Sequence, residues 1–134
     1  MKIAIPIKMN KANSAIAPLF GKAKWFAIVE DGETIIEPNQ AEGGRAVIEW
    51  FNTMKIDTII IQEMGEGPYE MIRQLGTMKV YHSGFERITL DEVLQKFEAN
   101  ELPPLLDEQG MAKIIEHHEL KHSHDHDHEH GHTH

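Results

Sequence analysis

The run Asp57-Thr58-Ile59-Ile60-Ile61 limits the fold more than any other stretch of this 134-residue chain. Its β-branched side chains favour extended backbone, and with no apolar–polar alternation both faces of the strand must be covered. Ile3, Ala4, Ile5 and Ile7 repeat the signature near the N-terminus. Two interior parallel strands need crossover connections, so helices are expected to cover the sheet. Between them, residues 23–30 and 34–37 flank Asp31-Gly32, a dipeptide suited to the positive-φ turn of a tight hairpin.

Three apolar stripes recur at helical spacing. Val47, Trp50, Phe51 and Met54 fall at i, i+3, i+4 and i+7 on a helix beginning near Gly43-Gly44. Pro68, Met71, Ile72 and Leu75 follow Gly65-Glu66-Gly67, with Pro in the first turn and Gly76 beyond the last. Leu90, Val93, Leu94 and Phe97 follow Thr89, whose Thr-x-x-Glu run to Glu92 reads as a capping box. Residues 78–81 make a short strand between the last two helices. The order is strand, hairpin, helix, strand, helix, strand, helix, which predicts a layered α/β domain over residues 1–102. Pro6 cannot donate to a ladder and is expected at an edge, a bulge or the end of its strand. After Pro103-Pro104, residues 103–116 read either as a short helix docked through Leu105, Leu106, Met111, Ile114 and Ile115 or as a loosely held arm.

Charge and cysteine count narrow the function. The formal net charge of −9 divides into about −6 on residues 1–116 and −3 on residues 117–134, so neither part offers the basic face that neutralises phosphates. Nucleic acid and anionic membrane are poor partners. No window reaches the roughly 18 apolar residues of a membrane span, and the N-terminal run meets Lys8 before a signal-peptide core can form, so the expected location is the cytoplasm. With no cysteine, metal chemistry is left to His, Met, Asp, Glu and backbone. The first strand carries no acid for metal-dependent phosphoryl transfer. Residues 1–116 hold only Ser14 and Ser83 as serine nucleophiles, with no visible orienting acid beside His82. The chain is expected not to be an enzyme.

Met1-Lys2-Ile3-Ala4-Ile5-Pro6, Ala17-Pro18-Leu19-Phe20-Gly21-Lys22-Ala23 leading into Phe26-Ala27-Ile28-Val29, Gly43-Gly44, and Asp57 to Ile61 followed by Gly65-Glu66-Gly67-Pro68 occur in this order along one short chain. Together they resemble the dinitrogenase iron-molybdenum cofactor biosynthesis (nitrogenase accessory factor) family over residues 1–102. The resemblance implies a three-layer ribonuclease H-like fold with a five-stranded mixed sheet and helices on both faces. It also implies binding or carriage of a molybdenum-containing metal–sulfur cluster, with a client metalloprotein or cofactor-assembly protein as partner. Many members of the family carry His where this chain has Leu19.

In open α/β sheets ligands bind beyond the carboxyl ends of the parallel strands, where four loops would meet here. Gly43, Gly44, Gly65 and Gly67 either let backbone approach an anionic ligand at the helix starts or simply serve tight turns. His82, the one histidine before the tail, is either a ligand or a capping residue before Ser83-Gly84. Met64 offers a thioether or fills a packing gap. Phe20-Gly21 places an aromatic ring in the long loop, as lid or as hydrophobic anchor.

From His122 to His134 every second residue is histidine, and with His117 and His118 this gives nine: His117, His118, His122, His124, His126, His128, His130, His132 and His134. The interleaved Asp125, Asp127 and Glu129 add carboxylates, a donor set suited to Zn²⁺, Ni²⁺, Cu²⁺ or Co²⁺. Without apolar residues after Leu120 the tail is expected to be disordered in the absence of metal. The leading expectation is therefore a non-enzymatic cluster carrier with a metal-gathering tail. The alternatives are a divalent-metal storage or delivery protein whose α/β body only recognises a partner, and a regulatory protein that binds no cluster.

Overall fold

A computed structural model describes residues 1–105. The expected linker beyond Leu105 and the nine tail histidines lie outside the described residues. The strands are β1 (Lys2–Ile7), β2 (Trp25–Glu30), β3 (Glu33–Pro38), β4 (Thr58–Ile61) and β5 (Lys79–His82), and the helices are α1 (Gly44–Thr53), α2 (Glu66–Leu75) and α3 (Leu90–Glu98). A single 3-10 turn spans Phe20–Lys22. The strands form one mixed sheet in the order β3-β2-β1-β4-β5. The pairs β1–β2 and β2–β3 are antiparallel, whereas β1–β4 and β4–β5 are parallel.

The two apolar runs became the neighbouring central strands β1 and β4. Period-two alternation divides their side chains between two cores. Ala4, Ile59 and Ile61 pack with Phe26 and Ile28 under Val47, Ile48 and Phe51 of α1 and Tyr69 and Ile72 of α2. Ile3, Ile5, Ile7 and Ile60 pack with Ala27 against Leu90 and Val93 of α3. Two helices thus cover one face of the sheet and one covers the other. No helix among the described residues is long and apolar enough to cross a membrane.

Local signals acted as expected. Asp31 (φ 53°) and Gly32 (φ 80°) both take positive φ in the β2–β3 turn. Gly76 closes α2 in the left-handed conformation, its N–H donating to the Ile72 carbonyl at 3.0 Å. Thr89 and Glu92 form the reciprocal capping box of α3. Boundaries moved slightly. β2 starts at Trp25 because Ala23 is buried in the α1–α2 core and its carbonyl accepts from the Asn39 side-chain amide at 2.7 Å. β5 runs on to His82, which pairs with Ile61.

Pro6 lies near the end of a central strand, and its missing donor has a structural consequence. β1 pairs with β4 only at Ile3 and Ala4. Beyond them the Pro6 carbonyl accepts from the Ala17 N–H at 2.9 Å, and Ile7 bridges Ile16 instead of a β4 residue. A residue without N–H ends the parallel ladder, and the loop after β1 wedges into the opening. On its other side that loop bridges β4's extension, with Leu19 parallel to Glu63. The Glu63 N–H donates to the Pro18 carbonyl at 3.1 Å, and the Glu63 carbonyl accepts from the Phe20 N–H at 3.2 Å.

After α3 the chain turns over the outer edge of β5. The His82 N–H donates to Pro103 and the Leu105 N–H to Val80, at 3.0 and 2.7 Å, giving an antiparallel bridge between Tyr81 and Pro104. Leu102 belongs to the α3-side core and Leu105 to the α1–α2-side core, so residues 102–105 cross from one face to the other.

Candidate functional site

β1, β3, β4 and β5 run in the same direction, so their carboxyl ends share one end of the sheet. There, the 3-10 turn, the start of α1 and the start of α2 enclose a cleft of about 220 Å³, walled by Leu19, Phe20, Gly21, Lys22, Gly43, Gly44, Met64, Gly65 and Pro68. Drug-sized pockets begin near roughly 300 Å³. This cleft suits a compact inorganic anion or one end of a larger cluster.

The wedge loop reaches the cleft because Phe20 anchors it. Phe20 is 1% exposed and makes edge-on contacts with Phe26 and Phe51 at centroid separations of 5.7 and 5.9 Å. It is an anchor in the core and not a lid. That burial presses the following glycine against α1. A β-carbon on Gly21 would sit 3.0 Å from the Gly44 nitrogen, and one on Gly44 would sit 2.7 Å from the Pro68 ring. Neither distance is tolerated without displacement, so Gly21, Gly44 and Pro68 form a stack of close approaches joining the three segments.

Gly43 is different. It has φ 89° and open space where a side chain would project, so its backbone conformation is what favours glycine there. Both helices begin without a side-chain cap, at Gly43 and Gly65. The first α1 bond shown at this end runs from the Val47 N–H to the Gly43 carbonyl, which leaves the Gly44, Arg45 and Ala46 N–H groups with no acceptor within the helix. In α2 the third position is Pro68, so only Glu66 and Gly67 contribute N–H groups there. Two dipole-positive helix ends therefore face one cleft, and this favours negative charge. Lys22 lies in the wall, and Arg45 reaches across so that its Nε would be 2.9 Å from a β-carbon on Gly67.

Six of the eight residues singled out in the domain meet in this cleft: Phe20, Gly21, Gly43, Gly44, Met64 and Gly65. Met64 is 1% exposed and packs in the α1–α2 core as well as lining the wall. Gly67 sits in the first turn of α2 under Arg45. His82 lies away from the cleft at the end of β5. Its Nε2 is 3.1 Å from the Gln62 carbonyl, which can only accept, so Nε2 carries the proton, and its ring meets Phe85 edge-on at 4.7 Å. Among the described residues there is no group of three or more His, Cys, Asp or Glu able to hold a metal ion.

Glu63 was not foreseen. It is fully buried next to Met64, and its main chain ties the wedge loop to β4. Its sequence signal is an acid two residues beyond a strand buried on both faces, a position where a charged group is rarely enclosed without partners.

The donor set is thus backbone N–H with one thioether, with Lys22 in the same wall. It fits a group that brings its own sulfide ligands and negative charge, and it lacks the thiolates that hold a bare iron–sulfur centre.

The family model for the dinitrogenase iron-molybdenum cofactor matches residues 1–100. An uncharacterized protein of Methanocaldococcus jannaschii is 33% identical over 107 residues, covering 72% of this chain and 85% of that protein. Among solved structures, a candidate NifB protein from Thermotoga superposes with TM-score 0.66 at 23% identity, over 79% of this chain and 94% of its own. The apo form of the orange protein from Desulfovibrio gigas superposes with TM-score 0.68 at 17% identity, over 78% and 92%. At those identities the two structures speak to the fold, and the family model speaks to descent: the chain belongs to the dinitrogenase iron-molybdenum cofactor family.

Proposed function

We propose that the α/β body carries, as cargo, an anionic molybdenum-containing metal–sulfur cluster in the cleft between the 3-10 turn and the starts of α1 and α2. The observation that supports this reading is the convergence of two uncapped helix N-termini on one small cleft walled by glycine backbone. The N–H groups of Gly44, Arg45 and Ala46 would hydrogen-bond terminal sulfides, Lys22 and Arg45 would balance charge, and Met64 would offer a soft edge. Nothing in this arrangement activates a nucleophile, so the role is binding and hand-over to a client metalloprotein or cofactor-assembly protein in the cytoplasm. His82 is assigned a lesser role, holding the β4 and β5 ends together through Gln62. In the same proposal, the tail histidines His117 to His134 gather a divalent transition metal independently of the cleft.

The test is an anaerobic titration of the full chain, and of a version ending at Glu116, with tetrathiomolybdate plus Cu⁺ and separately with Ni²⁺, followed by visible absorption and amide NMR. The expected result is a coloured complex on both versions with shifts at Gly43, Gly44 and Gly65, and a Ni²⁺ response on the full chain alone. If the shorter version stays colourless, the cleft is not a cluster site and divalent-metal delivery by the tail replaces this reading.

A further inference from the structure

The two edges of the sheet are treated differently. Residues 103–105 close the outer edge of β5 through their bonds to His82 and Val80, whereas no described residue pairs with the outer edge of β3. The phase of the hairpin shows which backbone groups that edge presents. The Asn39 N–H donates to the Lys24 carbonyl at 2.9 Å, so residues 24 and 39 form a hydrogen-bonded pair. Such pairs alternate along an antiparallel ladder, which makes Phe26–Glu37, Ile28–Ile35 and Glu30–Glu33 the others that bond inward. Thr34, Ile36 and Pro38 therefore turn their main chain outward. Pro38 has no N–H to offer, so the usable edge runs from Glu33 to Glu37, with an N–H and a carbonyl on each of Thr34 and Ile36.

The side chains indicate what would pair there. Glu33, Ile35 and Glu37 share the α1 side of the sheet, where Ile35 is opposite the buried Ile28 and yet 58% exposed. Two shallow depressions of about 220 and 310 Å³ separate β3 from Met54 and Trp50 on the α1 side and meet at Glu37. Glu30, Glu33 and Glu37 line the first, and its one cation, Lys2, already donates from Nζ to the Met54 carbonyl at 2.9 Å. Acids on an edge strand oppose pairing with a second copy of this chain. In the antiparallel self-pairing that the outward groups allow, Thr34 would face Ile36 of the second copy, and Glu33 would face its Glu37, which sets like charges against each other. The same row attracts a strand that presents cation, apolar side chain and cation on one face.

We infer that the outer edge of β3 docks an extended basic segment of another protein as an added strand, with Lys or Arg opposite Glu33 and Glu37 and an apolar side chain against Ile35. The inference does not depend on what the cleft binds.

The test uses the full chain and three synthetic peptides, built around Lys-Thr-Val-Thr-Lys, its acidic counterpart Glu-Thr-Val-Thr-Glu, and Lys-Lys-Val-Thr-Thr, which keeps the charge and loses the alternation. The first two read the same in both directions, so either strand orientation can be met. In amide NMR at low ionic strength the first peptide is expected to shift Thr34 and Ile36 and slow exchange of their N–H groups, with affinity about tenfold above that of the other two. Glu33→Lys/Glu37→Lys should reverse the preference in favour of the acidic peptide. Thr34→Pro removes one outward N–H without touching the β2 pairing and should weaken binding of the first peptide by at least the same factor. The inference is overturned if the first peptide shifts nothing, if the two lysine peptides bind equally, or if Thr34→Pro binds as the wild type does. It is also overturned if the Thr34 and Ile36 N–H groups are already protected in the free chain, since another segment or a second copy then holds the edge.

Discussion

The two ends of the sheet differ in what builds them. At the carboxyl end the walls are largely main chain: glycines at 21, 43, 44 and 65 bring backbone to the surface, and two helices point their N-termini inward. At the amino end the walls are side chains, and the space is about 660 against 220 Å³. Size alone would choose the amino end. Strand direction places first-turn N–H groups at one end only, and those groups offer unsatisfied donors where apolar side chains offer buried area. The small end offers hydrogen-bond donors, and the large end offers apolar area.

Several substitutions would break or sharpen this contrast. The largest effect is expected for Phe20→Ala, which removes the anchor of the wedge loop and should lower stability by about 3–5 kcal/mol in urea unfolding, as for other buried aromatic truncations. Cluster uptake should fall with it. Gly44→Ala drives a methyl group into Pro68 and should cost about 1–3 kcal/mol through overpacking. Its signature is a loss of colour on titration that exceeds the loss of stability. If Gly44→Ala takes up the cluster normally, close approach of the two helix starts is irrelevant to binding. Gly43→Ala meets no atom and should cost about 1–3 kcal/mol from its positive-φ extended backbone alone. A thermal melt should show this penalty with cluster binding retained.

The smallest effect concerns neither end. Glu92 accepts from the Thr89 backbone N–H, and from its hydroxyl, and these bonds hold its carboxyl below the usual carboxylate range, with Arg87 and Lys96 contributing less. A depressed folded-state pKa adds stability that is present above the unfolded value and is lost as pH falls through the folded one. Urea midpoints compared between pH 7 and pH 3 should therefore converge for the wild type and Glu92→Gln at the acid end and separate slightly at neutral pH. Thr89→Ala should remove about 1 kcal/mol as a lost N-cap, with both ends of the sheet unaffected.

Much of the fold was legible because its signals are local. Asp31-Gly32 dictated its turn, Thr89-x-x-Glu92 its cap, Gly76 its helix stop, and the isoleucine runs their burial on both faces, since each depends on neighbours within a few residues. The glycines of the site were also visible as residue types, although spacing could not tell a turn from a ligand wall. Pro6 was readable only as a tension. Its resolution required a distant loop to enter between β1 and β4, and loop placement depends on which gap needs filling.

Residue identity therefore decided the kinds of elements, their order, the lack of thiolate chemistry and the donor-rich composition of the tail. Tertiary packing decided that Gly21, Gly44 and Pro68 touch, that His82 turns to the Gln62 carbonyl and away from the cleft, and that Glu63 is enclosed where the wedge loop meets β4. The reason is physical: capping, turns and periodicity act through bonds between near neighbours in sequence. A cleft exists only where separate segments are pressed together by the burial of side chains far from it.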